Sequence, residues 1–508
     1  MEWLEKTWQK ITSVLLGEPL YEVTKYEDYL KQHVRIPKVI HNMAVIEGYE
    51  NARKIIPTRE IEKLREPLSI NDIKDIDNLL ELVRERFAVV GDIKTGRIIS
   101  VSNSSGIVDS SFVHLSNTII KSRYIAYSSY VKECGFVFGG HDLAWTDFAL
   151  NSYAVGGGEK NARVFESFYV LGASDIYFSH NVAGCSECMF SVFQRGRRYV
   201  IGNHVLFPDK YFSIKKHLLE QIRDLLKERK LPSIYELLNG GKERAHLKSV
   251  EESDEVPPRI QKAYEQTTRA IFGEPLRLRP NFLRRNLIYY DLALVQWPNG
   301  QKTAVGGKEY YMVPDGFYER AIPEWELESV ADRKAPGIDL EHLMDFMGQN
   351  GVNFFVGAKC ENCKESPLCF YSSFAYRTVM PVRTKYAAYS FWPRESSYIF
   401  GSSSVFDSSF LIRSYRSERA FRSFEVDVSN GVSDGMYLFM ADGLRNGLFC
   451  FGIKGKSNVI LNQVFDKEEV QRVKSYVLDW IKTRLNEGKE VPRLYELVSE
   501  DGDKKWRN

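Results

Sequence analysis

Thiols are the most concentrated reactive side chains in the sequence. Cys360, Cys363 and Cys369 form a Cys-x2-Cys-x5-Cys run, and its first pair has the spacing at which two thiolates meet one Zn²⁺. No fourth ligand is evident, so two readings stand: a structural zinc site, or buried thiols filling small spaces in a core. Cys185 and Cys188 repeat the x2 spacing, with His180 and His204 nearby. The two histidines are two turns of a twelve-residue repeat apart, which places them roughly 10 Å from each other, too far for one ion with bonds of about 2 Å. Arginine is concentrated beside aromatics at two places: Arg277, Arg279, Arg284 and Arg285 around Phe282, and Arg195, Arg197 and Arg198 before Tyr199. Guanidinium groups next to rings suit RNA phosphates and stacked bases, the alternative being solvated surface charge. Gly139-Gly140-His141-Asp142 with Asp147 offers a base and paired carboxylates, although a polar turn is the simpler reading. No serine sits in a Gly-x-Ser-x-Gly elbow, and no phosphate-binding Gly-x4-Gly-Lys-Ser/Thr loop occurs.

The elements that must position these groups are written twice. Gly17-Glu18-Pro19-Leu20 recurs as Gly273-Glu274-Pro275-Leu276, each copy closing a helical pattern. Ser110-Ser111-Phe112 matches Ser372-Ser373-Phe374, and Ala126-Tyr127-Ser128 matches Ala388-Tyr389-Ser390, both at an offset of 262. Farther on, Phe190, Gly196, Val200 and Asn203 match Phe449, Gly455, Val459 and Asn462 at 259. Cys360, Cys363 and Cys369 align with Ile98, Val101 and Ile107, while Asp142 and Asp147 become Ser404 and Ser409.

Within each half a twelve-residue period links Ser167, Ser179, Ser191 and Asn203, and likewise Val426, Leu438, Cys450 and Asn462. Short strand-like triplets alternate with turn formers at this spacing, which admits an irregular parallel solenoid or an antiparallel meander and favours the solenoid. Apolar positions at helical spacing over 210–230 and 470–485 predict a helix capping each stack. The fold expected is mainly β with flanking helices: an α/β flank at 1–95, a first β-solenoid module at 96–238, a linker at 239–258, a second flank at 259–355 and a second module at 356–508.

The stretch from Cys185 to Asn203 and its counterpart from Gly447 to Asn462, each followed by a charged helix, resemble an uncharacterised Cys- and Tyr-rich repeat family of candidate-phyla bacteria and archaea, many of whose members carry a CoA-transferase label. The similarity covers about 100–210 and 360–485. It implies a β-solenoid and supplies no catalytic residue.

Composition narrows the functions. Of 508 residues, 44% are hydrophobic and 27% charged, a globular balance. Lys+Arg 69 against Asp+Glu 67 leaves +2, too even for a surface wholly committed to phosphate or lipid. No apolar run is long enough to span a bilayer, and Glu2, Glu5, Lys6 and Lys10 interrupt what a signal peptide would need. Seven sparse cysteines point to reduced thiols, hence a cytoplasmic location, and scarce glutamine leans toward a thermophile. The apolar positions Trp3, Leu4, Trp8, Ile11 and Leu15 on the first helix, with the aromatic content, predict a homo-oligomer. The function expected is a non-enzymatic binding or assembly factor that docks on a large partner such as the ribosome, without a membrane. A structural zinc at Cys360, Cys363 and Cys369 is the one cofactor left open. The alternative is a carbohydrate-active or other β-helix enzyme with a site in the first half only.

Overall fold

The computed structural model describes residues 2–501 except 33, 35, 65–66, 157–158, 240–247, 250–254, 285–292, 297–299, 306–326 and 351–358. Most of the linker and much of the second flank expected from the sequence lie outside the described residues.

Both repeats are parallel solenoids. Arg123 pairs with Ser111 on one side and Gly135 on the other, each twelve residues away, so alternate strands build two ladders per module. In the first module one ladder runs from Ile99–Ser102 to His204–Val205 and the other from Lys94–Thr95 to His180–Ala183. The meander is excluded. Thr146 pairs with Asn161, fifteen residues on, so one coil holds three extra residues; these account for the drift of the matching offset from 262 to 259.

A twelve-residue coil closes because left-handed residues bend the chain at every third position: Tyr124, Tyr127, Tyr130 and Glu133 have φ of 59°, 50°, 56° and 53°. Each such non-glycine residue costs about 1–2 kcal/mol, and the regular stacking above and below offsets it. Inward aliphatics recur every six residues, once per strand, as Ile107, Val113, Ile119, Ile125, Val131 and Val137. At the corners serine hydroxyls stitch neighbouring coils. Ser179 Oγ donates to Tyr177 O at 2.8 Å and accepts from the backbone N–H of Ser191 at 3.0 Å. Bulky side chains could not make this bridge, which explains the twelve-residue column of small residues. Asn203 and Asn462 end the columns, their amide oxygens accepting from Val192 N and Phe451 N at 2.9 Å each.

In the second module, Pro381 and Pro393 fall on the minor ladder, where a residue without an N–H cannot donate. Pairing there is reduced to single bridges such as Phe370 to Val382 and Val382 to Arg394. The strand Phe421–Asp427 runs through a corner and joins both ladders into one sheet.

The helices that matter for the modules are, in chain order, α1 (Glu2–Leu16), α2 (Glu27–Lys31), α3 (Ile76–Arg86), α4 (Pro208–Lys227), α5 (Ile234–Asn239), α6 (Pro258–Phe272), α7 (Pro280–Arg284), α8 (Leu327–Ala331), α9 (Leu340–Gln349) and α10 (Lys467–Asn486). The first module is followed by α4 and the second by α10. Outward aromatics stack in register on the first module, with Phe112, Tyr124, Phe136 and Phe148 at successive centroid spacings of 4.8, 4.9 and 4.7 Å. Helix α1 lies on this surface: Trp3 meets Phe112, Trp8 stacks on Phe138, and Lys10 Nζ sits 4.1 Å above the Phe136 ring. Leu4, Trp8, Ile11 and Leu15 are buried, so the apolar face expected to drive self-association is covered by the chain's own sheet. Helix α6 repeats the arrangement, placing Tyr264 against Phe400 and Arg259 over Phe374. Even the helix exits match: Thr12 Oγ accepts from Leu20 N at 2.9 Å, and Thr268 Oγ from Leu276 N at 2.8 Å. Helix α4 covers the last strands of the same sheet face, with Lys215 Nζ reaching Glu187 at 2.7 Å and the Tyr177 ring at 4.7 Å.

The chain divides into two compact units, and the flanks are not allotted in sequence order. One unit comprises 1–46, 92–247 and 308–354; the other comprises 47–91, 248–307 and 355–508. In the first, α9 packs on α5, and Asn203 Nδ2 donates to Arg333 O at 2.9 Å. In the second, α3 packs on α10, Phe87 meets Phe451, and the Tyr49 hydroxyl donates to Asp427 at 2.9 Å. Each module is thus completed by a helical flank carried in the other half of the sequence.

Candidate functional sites: a thiol cluster, basic surfaces and paired buried glutamates

The three cysteines of the second module converge. Cys360 is exposed, Cys363 half-buried and Cys369 buried, and their sulfur atoms all lie within 4.8 Å of one another. Cys360 and Cys369 form a disulfide with Cα atoms 6.3 Å apart, and Cys363 Sγ lies 3.4 Å from Cys369 Sγ. This corrects the expectation that all seven cysteines are thiols: the two ends of this run fold back onto each other across one coil. The convergence follows from the repeat. The aligned residues of the first module, Ile98, Val101 and Ile107, are inward aliphatics of its opening coil. The thiols occupy the same inward positions in the opening coil of the second module.

The remaining cysteines are buried in the cores. Cys185 and Cys188 belong to the aliphatic cluster of the first module. His204 Nε2 contacts Ala335 O at 2.8 Å, directed away from any thiol ligand set. Burial pushes the Cys134 and Cys450 thiols up to about 12, which keeps them protonated and unreactive.

The arginine clusters differ. Arg277 and Arg279 are exposed, α7 carries Arg284, and Arg285 lies outside the described residues. Phe282 is not available for base stacking there, because it is half-buried with the Arg413 guanidinium 4.8 Å from its ring. Arg195, Arg197 and Arg198 are exposed at the end of the first module. Arg195 Nη1 donates to Gln194 O at 3.0 Å and also to Asn181 O, while Arg198 lies over the Tyr199 ring at 4.6 Å. Strand Arg198–Ile201 turns back antiparallel through His204–Val205. This hairpin leaves Val205 59%, Phe207 84% and Phe212 47% exposed beside the arginines. The sequence analysis did not single out that apolar rim, because Phe207 and Phe212 flank the start of a helix read only from its apolar spacing.

Asp142 and Asp147 do not form a carboxylate pair. Asp142 lies on His141–Ala144 in one ladder and Asp147 on Thr146–Leu150 in the other, so the two belong to different sheets. His141 is buried with Nδ1 2.7 Å from Ser129 Oγ, serving the coil below it.

The two halves share a partly exposed ion pair, Glu18 with Arg223 and Glu274 with Lys482, and a buried polar position. Glu166 is fully buried; Ile234 N donates to it at 2.8 Å, Asn151 Nδ2 at 3.1 Å, and the Tyr29 hydroxyl also donates. Burial raises its carboxyl to about 8, so it is held protonated at neutral pH. Its counterpart Glu425 accepts from Leu494 N at 2.8 Å in the same way. There, Arg413 replaces Asn151 and Phe282 replaces Tyr29. Arg413 Nε lies 2.5 Å from Glu425 as a charge contact rather than an aligned hydrogen bond, and Nη1 donates to Val491 O at 3.0 Å. The equivalence of Tyr29 and Phe282 is fixed by their neighbours: Leu30 O approaches Gly139 and Leu283 O approaches Gly401, each 3.1 Å from where a Cβ would stand. Burial raises Glu425 too, to about 7, with the Arg413 guanidinium opposing the rise; the first half has no cation at this position and the second has Arg413.

Among the described residues no helix is long and apolar enough to cross a membrane. Compared with protein-family models, curated proteins and solved structures, the chain matches none.

Proposed function

We propose that this chain is a non-enzymatic binding and assembly factor that docks on a large cytoplasmic partner, a ribonucleoprotein such as the ribosome being the leading candidate. One observation carries the reading: Arg197, Arg198, Val205, Phe207 and Phe212 are exposed together at the end of the first module, whereas the buried polar groups that both modules share serve the fold. Glu166, Glu425, the serine columns and the terminal asparagines all satisfy backbone groups inside the solenoids. Arg197, Arg198, Tyr199, Val205, Phe207 and Phe212 form a basic and aromatic rim on the hairpin and the start of α4. Guanidinium groups that stay charged and rings that stack suit an RNA backbone with unpaired bases. Arg277 and Arg279 are a second exposed basic pair, without a free ring beside them among the described residues. The likeness to the Cys- and Tyr-rich repeat family supports a solenoid scaffold and adds no activity.

Self-association belongs to the same reading, but its surface must lie elsewhere than on α1; the exposed Val205 and Val464, at matching positions on the return strands of the two hairpins, are the places to test. The functional test is affinity capture from native lysate with and without ribonuclease. Ribosomal proteins recovered only without ribonuclease agree with the proposal, and their absence under both conditions counts against it. For the enzyme alternative, Asp142 and Asp147 lie on different sheets, which weakens the one carboxylate pair it could name.

A further inference from the structure

We propose that Cys360, Cys363 and Cys369, when reduced, bind one Zn²⁺ that closes the opening coil of the second module. The sulfur atoms already lie within 4.8 Å of one another, and three thiolates around one zinc with bonds of about 2.3 Å stand roughly 3.7–4 Å apart. Only the Cys360 and Cys369 sulfurs have to separate from bonding distance. The three residues come from successive corners and strands of one coil, so one ion ties both sides of that coil together.

The need for such a tie is visible in the core. In the first module the opening coil is filled by Ile98, Val101 and Ile107, which join the aliphatic cluster. In the second module the aliphatic cluster starts only at Ala387, two coils farther on. The inward residues before it on the same ladder are Cys363 and Ala375, where the first module has Val101 and Val113. A metal held by thiolates ties a coil together where aliphatics are fewer. Three protein sulfurs leave the fourth zinc position for water or an external ligand.

The chemistry balances in two steps. A phosphine reduces the Cys360–Cys369 disulfide, supplying two electrons and becoming its oxide with oxygen from water, while the two sulfurs gain the protons. Zinc binding then releases one proton from each of three thiols. Because the disulfide removes two of the three ligands, the oxidised chain does not hold the ion.

The test uses the full chain, reduced with a phosphine under argon and titrated with Co²⁺ and then Zn²⁺. Thiolate-to-cobalt absorption and native mass spectrometry count the ions, and melting reports stability. One equivalent is expected, with zinc displacing cobalt and raising the Tm. Cys363→Ser should weaken binding by roughly tenfold or more, as should Cys360→Ser, whose exposed position makes it the safer variant for folding. Cys185→Ser, in the first module's core, should leave binding unchanged. Failure of the reduced parent to take up either ion, or undiminished binding by both Cys360→Ser and Cys363→Ser, would overturn the proposal.

Discussion

Two glutamates at one position of a duplicated fold show how a buried charge can be handled in two ways. Glu166 is neutralised by a proton and held by Tyr29, Asn151 and Ile234 N. Its carboxyl is raised from the ordinary 4.5 to about 8, so the folded chain keeps a proton that the unfolded chain loses above about 4.5. The stabilisation is therefore complete below pH 4.5 and falls as pH rises toward 8. Glu166→Gln keeps the shape without the proton. The variant should lose less Tm than the parent between pH 5 and about 8, a difference that melts across a pH series would read directly; identical slopes would refute the assignment.

In the second module Arg413 supplies the counter-charge. Arg413→Asn removes it and leaves Glu425 buried alone, which should cost about 3–5 kcal/mol. Adding Phe282→Tyr rebuilds the Tyr, Asn and Glu set of the first module, and denaturant unfolding should show part of that stability recovered. Neither network was apparent in the sequence. Glu166 and Glu425 align, but nothing local to either residue says that Tyr29 of α2 reaches Glu166 from 137 residues away or that Leu494 N reaches Glu425 from 69.

At the scale of the element, the coil depends on three columns: inward aliphatics, corner hydroxyls and outward aromatics. Ser179→Ala removes the hydroxyl that accepts from Ser191 N and donates to Tyr177 O, stranding a buried N–H. The expected cost is about 1–3 kcal/mol, measurable by denaturant unfolding. The serine column was legible in sequence because Ser167, Ser179 and Ser191 repeat every twelve residues, although the matching positions of the second module hold Val426 and Leu438 in its aliphatic core. The left-handed backbone was not, because Tyr124, Phe136 and Tyr386 are bulky residues in a region that such side chains normally avoid. Helix α1 shows a related limit. Its amphipathic pattern was plain, yet the pattern cannot tell a face that meets another molecule from one that meets Phe112, Tyr124 and Phe138 in the same chain.

At the scale of the whole molecule, duplication was legible from motif offsets, whereas the exchange of flanks was not. Residues 47–91 precede the first module and complete the second, while 308–354 complete the first. Sequence order carries no mark of this, because Tyr49 and Phe87 look like core residues for either module. Their partners are Asp427, Phe439 and Phe451. Tyr49→Ala should therefore increase amide hydrogen exchange in the second module, around Asp427 and Phe439, and leave the serine column of the first module protected. Loss of protection confined to the first module would contradict the exchange.

Docking of the kind proposed has to run through concentrated guanidinium groups beside rings. A net charge of +2 gives no general attraction for phosphate, so contacts must be local. The most direct measurement is co-sedimentation with ribosomes over a salt series, comparing the parent with a folded variant carrying Arg197→Ala and Arg198→Ala and with another carrying Arg277→Ala, Arg279→Ala, Arg284→Ala and Arg285→Ala. The parent should bind, and at least one variant should bind more weakly, its salt slope falling by roughly one unit or less for each phosphate it no longer neutralises. A parent that does not sediment with ribosomes, or two variants that bind as the parent does, would contradict it.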